Sequence, residues 1–137
     1  MYIQKIRTKD GCAWRIYAVC SDRGDCQVAE FLSNQPSNLE ANRDRLLALL
    51  DHVVSKGPQR LPEDICHQIA DDIWQFATGR LRLAWFYDEG KLIVCTHGFV
   101  KKSQKTKKSD IQRAVEARKL YFKEKEQNNL VTINDGE

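Results

Sequence analysis

The stretch from Ile73 to His97 constrains the fold most. Ile73-Trp74-Gln75-Phe76 is followed by a turn at Thr78-Gly79, and Leu81-Arg82-Leu83-Ala84-Trp85-Phe86-Tyr87 by a tight turn at Asp88-Glu89-Gly90. Lys91-Leu92-Ile93-Val94-Cys95-Thr96-His97 completes the series. β-Branched and aromatic residues crowd these runs, and they are the side chains that pack best on a pleated surface. Turns this short join only antiparallel neighbours. A three-strand antiparallel meander is predicted.

Upstream, residues 13–20 partly alternate, with Trp14, Ile16 and Ala18 on one face and Arg15 and Tyr17 on the other. That is a strand pattern. Ser21-Asp22-Arg23-Gly24-Asp25 is a turn cluster, and residues 26–32 read as a second strand that Ser33-Asn34-Gln35-Pro36 breaks. The two form a predicted N-terminal hairpin. Ser37-Asn38-Leu39-Glu40 has capping-box spacing and opens a helix whose apolar stripe is Leu39, Leu46, Leu50, Val53 and Val54, with Gly57-Pro58 as its stop. Residues 61–70, with Pro62 in the first turn, read as a short second helix. Ser109-Asp110-Ile111-Gln112 repeats the capping-box spacing before a terminal helix to Lys125, with Ile111, Ala114, Val115 and Tyr121 or Phe122 inward. The predicted class is α+β: an antiparallel sheet, made of the hairpin and the meander, packed with one or two N-terminal helices and a C-terminal helix. At 137 residues and 42% hydrophobic, the chain can bury one ordinary core. One domain over residues 1–126 is expected, with 127–137 as a tail that lacks a clear period.

The start, Met1-Tyr2-Ile3-Gln4-Lys5, lacks a signal-peptide apolar run, and no stretch approaches the roughly 18 apolar residues of a membrane span, so a cytoplasmic protein without membrane contact is expected. Five cysteines, Cys12, Cys20, Cys26, Cys66 and Cys95, contain no CxxC pair. In the cytosol such thiols are small core hydrophobes, and no metal site is expected.

A net charge of +3 says little, but its distribution says more. Lys101, Lys102, Lys105, Lys107 and Lys108 fall together, and Arg113, Arg118 and Lys119 follow. Arg80 and Arg82 flank the second meander strand and His97 ends the third, so the meander brings them to one end and makes a cationic patch. Guanidinium groups grip phosphate through two hydrogen bonds, and lysines add charge without fixed geometry. RNA is cut without a metal when a base takes the 2′-hydroxyl proton, an acid protonates the leaving 5′-oxygen, and positive charge faces the phosphorus. His97 has the near-neutral intrinsic pKa suited to proton transfer, and a lysine among cations is the other candidate. The patch has no acidic cluster of the kind a two-metal nuclease uses. The same residues also suit a solvated lysine loop and a structural histidine, and Trp14, Trp74 and Trp85 suit a core.

The run Ile73-Trp74-Gln75-Phe76, Arg80-Leu81-Arg82-Leu83-Ala84-Trp85-Phe86-Tyr87, then Leu92-Ile93-Val94-Cys95-Thr96-His97-Gly98-Phe99-Val100-Lys101-Lys102-Ser103-Gln104-Lys105-Thr106, resembles the C-terminal half of the RelE/HigB toxin superfamily, most closely its phage-derived killer-protein branch. Val28-Ala29-Glu30-Phe31-Leu32 and residues 46–57 resemble its N-terminal half, so the resemblance covers roughly residues 12–122. It implies a curved antiparallel sheet, metal-independent and cofactor-independent cleavage of mRNA on the ribosome, and a cognate antitoxin as partner. By position Arg82 matches the arginine that opens the family's second meander strand, and Lys101 and Lys102 match the basic pair after the third. Resemblance and patch together give Arg80, Arg82, His97 and Lys102 as the expected catalytic set, with Lys101, Lys105, Lys107, Lys108 and Arg113 expected on RNA and ribosome. Ala77 stands where members often carry an arginine, with Arg80 as the candidate substitute, His67 is nearest to another basic position, and Ile111 stands where some place a catalytic tyrosine. Two other functions fit the same fold: a ParE-type inhibitor of DNA gyrase, and a non-catalytic phage-derived binding module.

Overall fold

The computed structural model describes residues 1–133. Seven strands form one sheet: β1 (Tyr2–Arg7), β2 (Arg15–Val19), β3 (Cys66–Ala70), β4 (Ile73–Thr78), β5 (Leu81–Asp88), β6 (Leu92–Val100) and β7 (Val131–Ile133). Their order is β3-β4-β5-β6-β2-β1-β7. Three α-helices, α1 (Gln27–Ser33), α2 (Glu40–Lys56) and α3 (Lys108–Glu126), pack on it. The class is α+β, as expected. No helix among the described residues is long and apolar enough to cross a membrane.

The meander forms as predicted and is one strand longer. β3 pairs with β4, β4 with β5 and β5 with β6, all antiparallel. Residues 66–70, read as helix, are therefore strand β3, because they pair edge-on with Ile73–Thr78 across a turn in which Asp72 takes a positive φ. The predicted hairpin of residues 13–20 with 26–32 does not form. β1, not anticipated, pairs antiparallel with β2. Residues 27–33 are helix α1, because Val28 and Leu32, four apart, both bury in the core while Cys26 caps the first turn through Sγ. The sheet is also not wholly antiparallel: β2 lies parallel to β6, and β7 parallel to β1. β7 falls within residues set apart as a tail, and residues 134–137 lie outside the described ones.

Both anticipated capping boxes are absent. Ser37–Leu39 forms a 3-10 turn that leads into α2, and neither α2 nor α3 has a side-chain cap at its start. The predicted stop of α2 holds: Gly57, at φ 80, donates its N–H to the Val53 carbonyl.

The two sheet faces have separate cores. Ile16, Leu83, Trp85 and Cys95 pack against α1 and α2 through Val28, Leu46, Leu50 and Val53. Ala84, Phe86 and Val94 pack against α3 through Ala114 and Tyr121. Covered on both sides, β5 and β6 are apolar nearly throughout, which is why their sequence shows continuous runs and little alternation. Cys12, Cys20, Cys66 and Cys95 are free thiols. Burial pushes the Cys66 thiol up to about 11 and raises that of Cys95, so both are inert core residues.

Candidate functional site

The site forms where the sheet face beneath α3 runs past the start of that helix. On this face β3 to β6 place side chains in rows. His67, Gln75, Ala84 and His97 make one, and Ala77, Arg82 and Phe99 make the next. A bulge sets the second half of β6. Ala84 pairs with His97 but Trp85 with Cys95, so Thr96 is an extra residue on that strand. Strict alternation from Cys95 would turn His97 toward α1 and α2, and the bulge turns it to the α3 face. It likewise turns Gly98 toward α1, where the Gln27 amide donates to the Gly98 carbonyl and accepts from its N–H, both at 2.8 Å. β2 pairs with β6 only as far as Cys95, so Gln27 supplies the partner the strand edge lacks.

Beyond Val100 the chain leaves the sheet as the lysine loop. Lys101 N–H donates to the Arg80 carbonyl at 2.7 Å, and Thr106 Oγ1 donates to Gln75 Oε1 at 3.1 Å. Both ends of the loop are thereby fixed to the sheet. Between the loop, the sheet and the first turn of α3 lies a groove of about 690 Å³, lined by Arg82, Lys101, Lys102, Lys105, Lys107 and Asp110, with His67, Gln75 and Phe99 on its sheet side. A shallower depression adds Gly79 and Arg80 and shares Arg82, Lys101 and Lys102.

Arg82 is half-buried, and burial lowers its pKa without threatening the charge of a guanidinium. Its Nη1 donates to the Gly79 and Leu81 carbonyls at 2.7 and 2.9 Å. Nε and Nη2 have no partner among the described residues and are open to a bidentate anion.

His97 lies under the groove rather than in it. Its side chain is 1% exposed, with Nε2 3.1 Å from Asp110 Oδ1 and Nδ1 3.0 Å from Thr96 Oγ1. Burial lowers its pKa most, the Asp110 bond acts against that, and the Arg113 charge adds to the lowering. Of the residues singled out from sequence, Arg82, Lys101, Lys102, Lys105 and Lys107 converge on the groove and Arg80 on its extension. Lys108 and Arg113 stand outside its lining, exposed on α3. Asp110, Gln75 and Thr106 were not singled out. Asp110 looked like part of a cap, and only the fold shows that it faces the lysines.

No cluster of three or more His, Cys, Asp or Glu side chains among the described residues could hold a metal ion.

The profile of the family described as "Phage derived protein Gp49-like (DUF891)" matches residues 30–119, from α1 through most of α3 and including the groove. The crystal structure of the archaeal RelE–RelB complex from Pyrococcus horikoshii OT3 is similar at 16% identity and a TM-score of 0.44, over 65% of this chain and 96% of that one. No curated protein matches the sequence.

Proposed function

Since the chain belongs to the phage-derived Gp49-like family, a RelE-like toxin family, we propose that it is a toxin that cuts messenger RNA on the ribosome without a metal. The observation that carries this reading is the groove, in which one anchored guanidinium and four lysines face a space large enough for a bent nucleotide.

In this reading Arg82 grips the scissile phosphate through its open nitrogens, with Arg80 at the edge of the site. Charge fixed there before the reaction stabilises the pentacoordinate phosphorus more than the ground state, which is the source of acceleration. Lys101, Lys105 and Lys107 hold the flanking backbone. Lys108 and Arg113, outside the groove, are available to ribosomal RNA. The reaction uses the 2′-hydroxyl of the RNA itself as nucleophile, and the ammonium of Lys102 donates the proton that the leaving 5′-oxygen needs. Buried His97 does not reach substrate, so proton transfer falls to side chains that line the groove.

A nuclease of this kind is harmful until covered, so a cognate antitoxin belongs to the proposal, with the cationic groove as the surface to be neutralised. The ribosome as target implies a cytoplasmic site of action.

The reading is tested by induced expression without antitoxin while new 5′ ends are mapped on cellular mRNA. Growth arrest with cuts inside translated codons supports it. Arrest with intact mRNA and DNA-damage signalling replaces it with gyrase inhibition, and normal growth replaces it with a non-catalytic binding module.

A further inference from the structure

We infer that Asp110 is the general base of this site, the group that takes the 2′-hydroxyl proton, and that His97 acts through it as a positioning residue. The inference rests on the nuclease reading and names a catalytic group within it.

Asp110 is the one carboxylate that lines the groove among the described residues, against five cationic side chains. Yet it pairs with none of them. Its side-chain partner is His97, beneath it, which meets Oδ1 at 3.1 Å. A carboxylate there only to offset charge would be drawn to the nearest lysine, whereas this one is held from the protein side. Its side chain is 21% exposed, and Oδ2 has no hydrogen-bond partner among the described residues. One oxygen is anchored and the other is available to the groove.

The protons of the anchor follow from the charge of the ring. A carboxylate only accepts, so Nε2 of His97 carries the hydrogen and donates to Oδ1. Burial favours the neutral ring, which leaves a lone pair on Nδ1, and the Thr96 hydroxyl donates to it at 3.0 Å in preference to the more distant Ala84 carbonyl at 3.5 Å. Neither ring nitrogen is then free to accept a substrate proton. The extra residue Thr96 is therefore used twice: it turns His97 toward α3, and it fixes the tautomer that holds Asp110.

The step balances without an added reactant. Asp110 takes the proton of the 2′-hydroxyl, the 2′-oxygen bonds to the adjacent phosphorus, and the bond from phosphorus to the 5′-oxygen breaks. That oxygen takes a proton from a lysine ammonium. The products are a 2′,3′-cyclic phosphate and a free 5′-hydroxyl, and solvent restores both side chains.

The test is single-turnover cleavage by the full-length protein on purified ribosomes carrying a short mRNA and an empty A site. Asp110→Asn keeps an oxygen to accept from His97 Nε2–H and removes both charge and basicity. The expected rate falls on the order of 10²- to 10⁴-fold. Affinity for the same complex with uncuttable 2′-deoxy mRNA stays the same or tightens, because a negative charge has left a cationic groove. Formate restores part of the rate to Asp110→Gly, an effect that a structural role would not give. His97→Leu lowers the rate at unchanged affinity and His97→Gln, which can still donate to Asp110, recovers it. Wild type that cuts nothing sinks the nuclease reading and this inference with it. Wild type that cuts while Asp110→Asn cuts nearly as fast overturns this inference alone, and so does an Asp110→Asn variant that loses affinity in step with rate.

Discussion

The ring of Phe31 fills the space beside Gly98: a Cβ on residue 98 would collide with Phe31 Cδ2. The glycine is there for close approach of α1 to β6, at the point where Gln27 binds the same peptide unit. Gly98→Ala is expected to destabilise the protein by about 1–3 kcal/mol through overpacking. Phe31→Ala in the same chain recovers part of that loss, since the two changes share one space. Denaturant midpoints of the two single variants and the double variant check this, and simple additivity would contradict it.

Asp88, at the end of β5, ties the sheet to α3. It accepts from Tyr121 Oη at 2.6 Å and from Lys125 Nζ at 2.9 Å. Burial works to raise its pKa, but the bonds from Tyr121, Lys125 and the Glu89 N–H outweigh burial and hold the carboxyl below its usual range. Asp88→Ala leaves the Tyr121 hydroxyl without its acceptor and is expected to cost about 1–3 kcal/mol. Because the folded pKa lies below the unfolded one, the contribution is present above about pH 4 and is lost as pH falls further. Urea unfolding of wild type and variant at pH 7 and pH 3 should show the gap narrowing in acid.

His97 gives stability a second pH dependence in a higher window. Its pKa is lowered in the fold, so on acidification the unfolded chain takes up the proton first, starting near pH 6.5. Stability is full above that value and falls as pH drops through the folded pKa. In His97→Gln the slope between pH 7 and pH 5 should flatten. A slope that is unchanged in that variant would mean that the ring takes up its proton equally in the folded and unfolded chains.

Arg82→Ala should separate activity from folding. The lost bonds run from a half-buried side chain to two carbonyls, so the expected destabilisation is at most about 1–2 kcal/mol. Growth arrest and mRNA cleavage should nevertheless disappear in expressing cells. Arg82→Lys should not restore them, because a lysine cannot hold two carbonyls and grip a phosphate with a planar fork. A soluble, folded Arg82→Ala protein that stays fully toxic would remove Arg82 from the site.

The meander, α2 with its Gly57 stop and the extent of α3 were legible in the sequence because each is encoded locally, in runs of apolar residues and short turn signals. Arg82 and the lysine loop were legible for the same reason, since they sit at strand ends that short turns bring together. Local signals misled where a partner decides conformation. Residues 27–33 have strand composition, yet they become helix because Val28 and Leu32 find a core and Gln27 finds Gly98. Residues 66–70 become strand because β4 offers an edge. Asp110 and His97 depended wholly on tertiary structure. One unpaired residue, Thr96, reverses which face the rest of β6 presents, and no local pattern records an extra residue whose only signature is the register of the neighbouring strand.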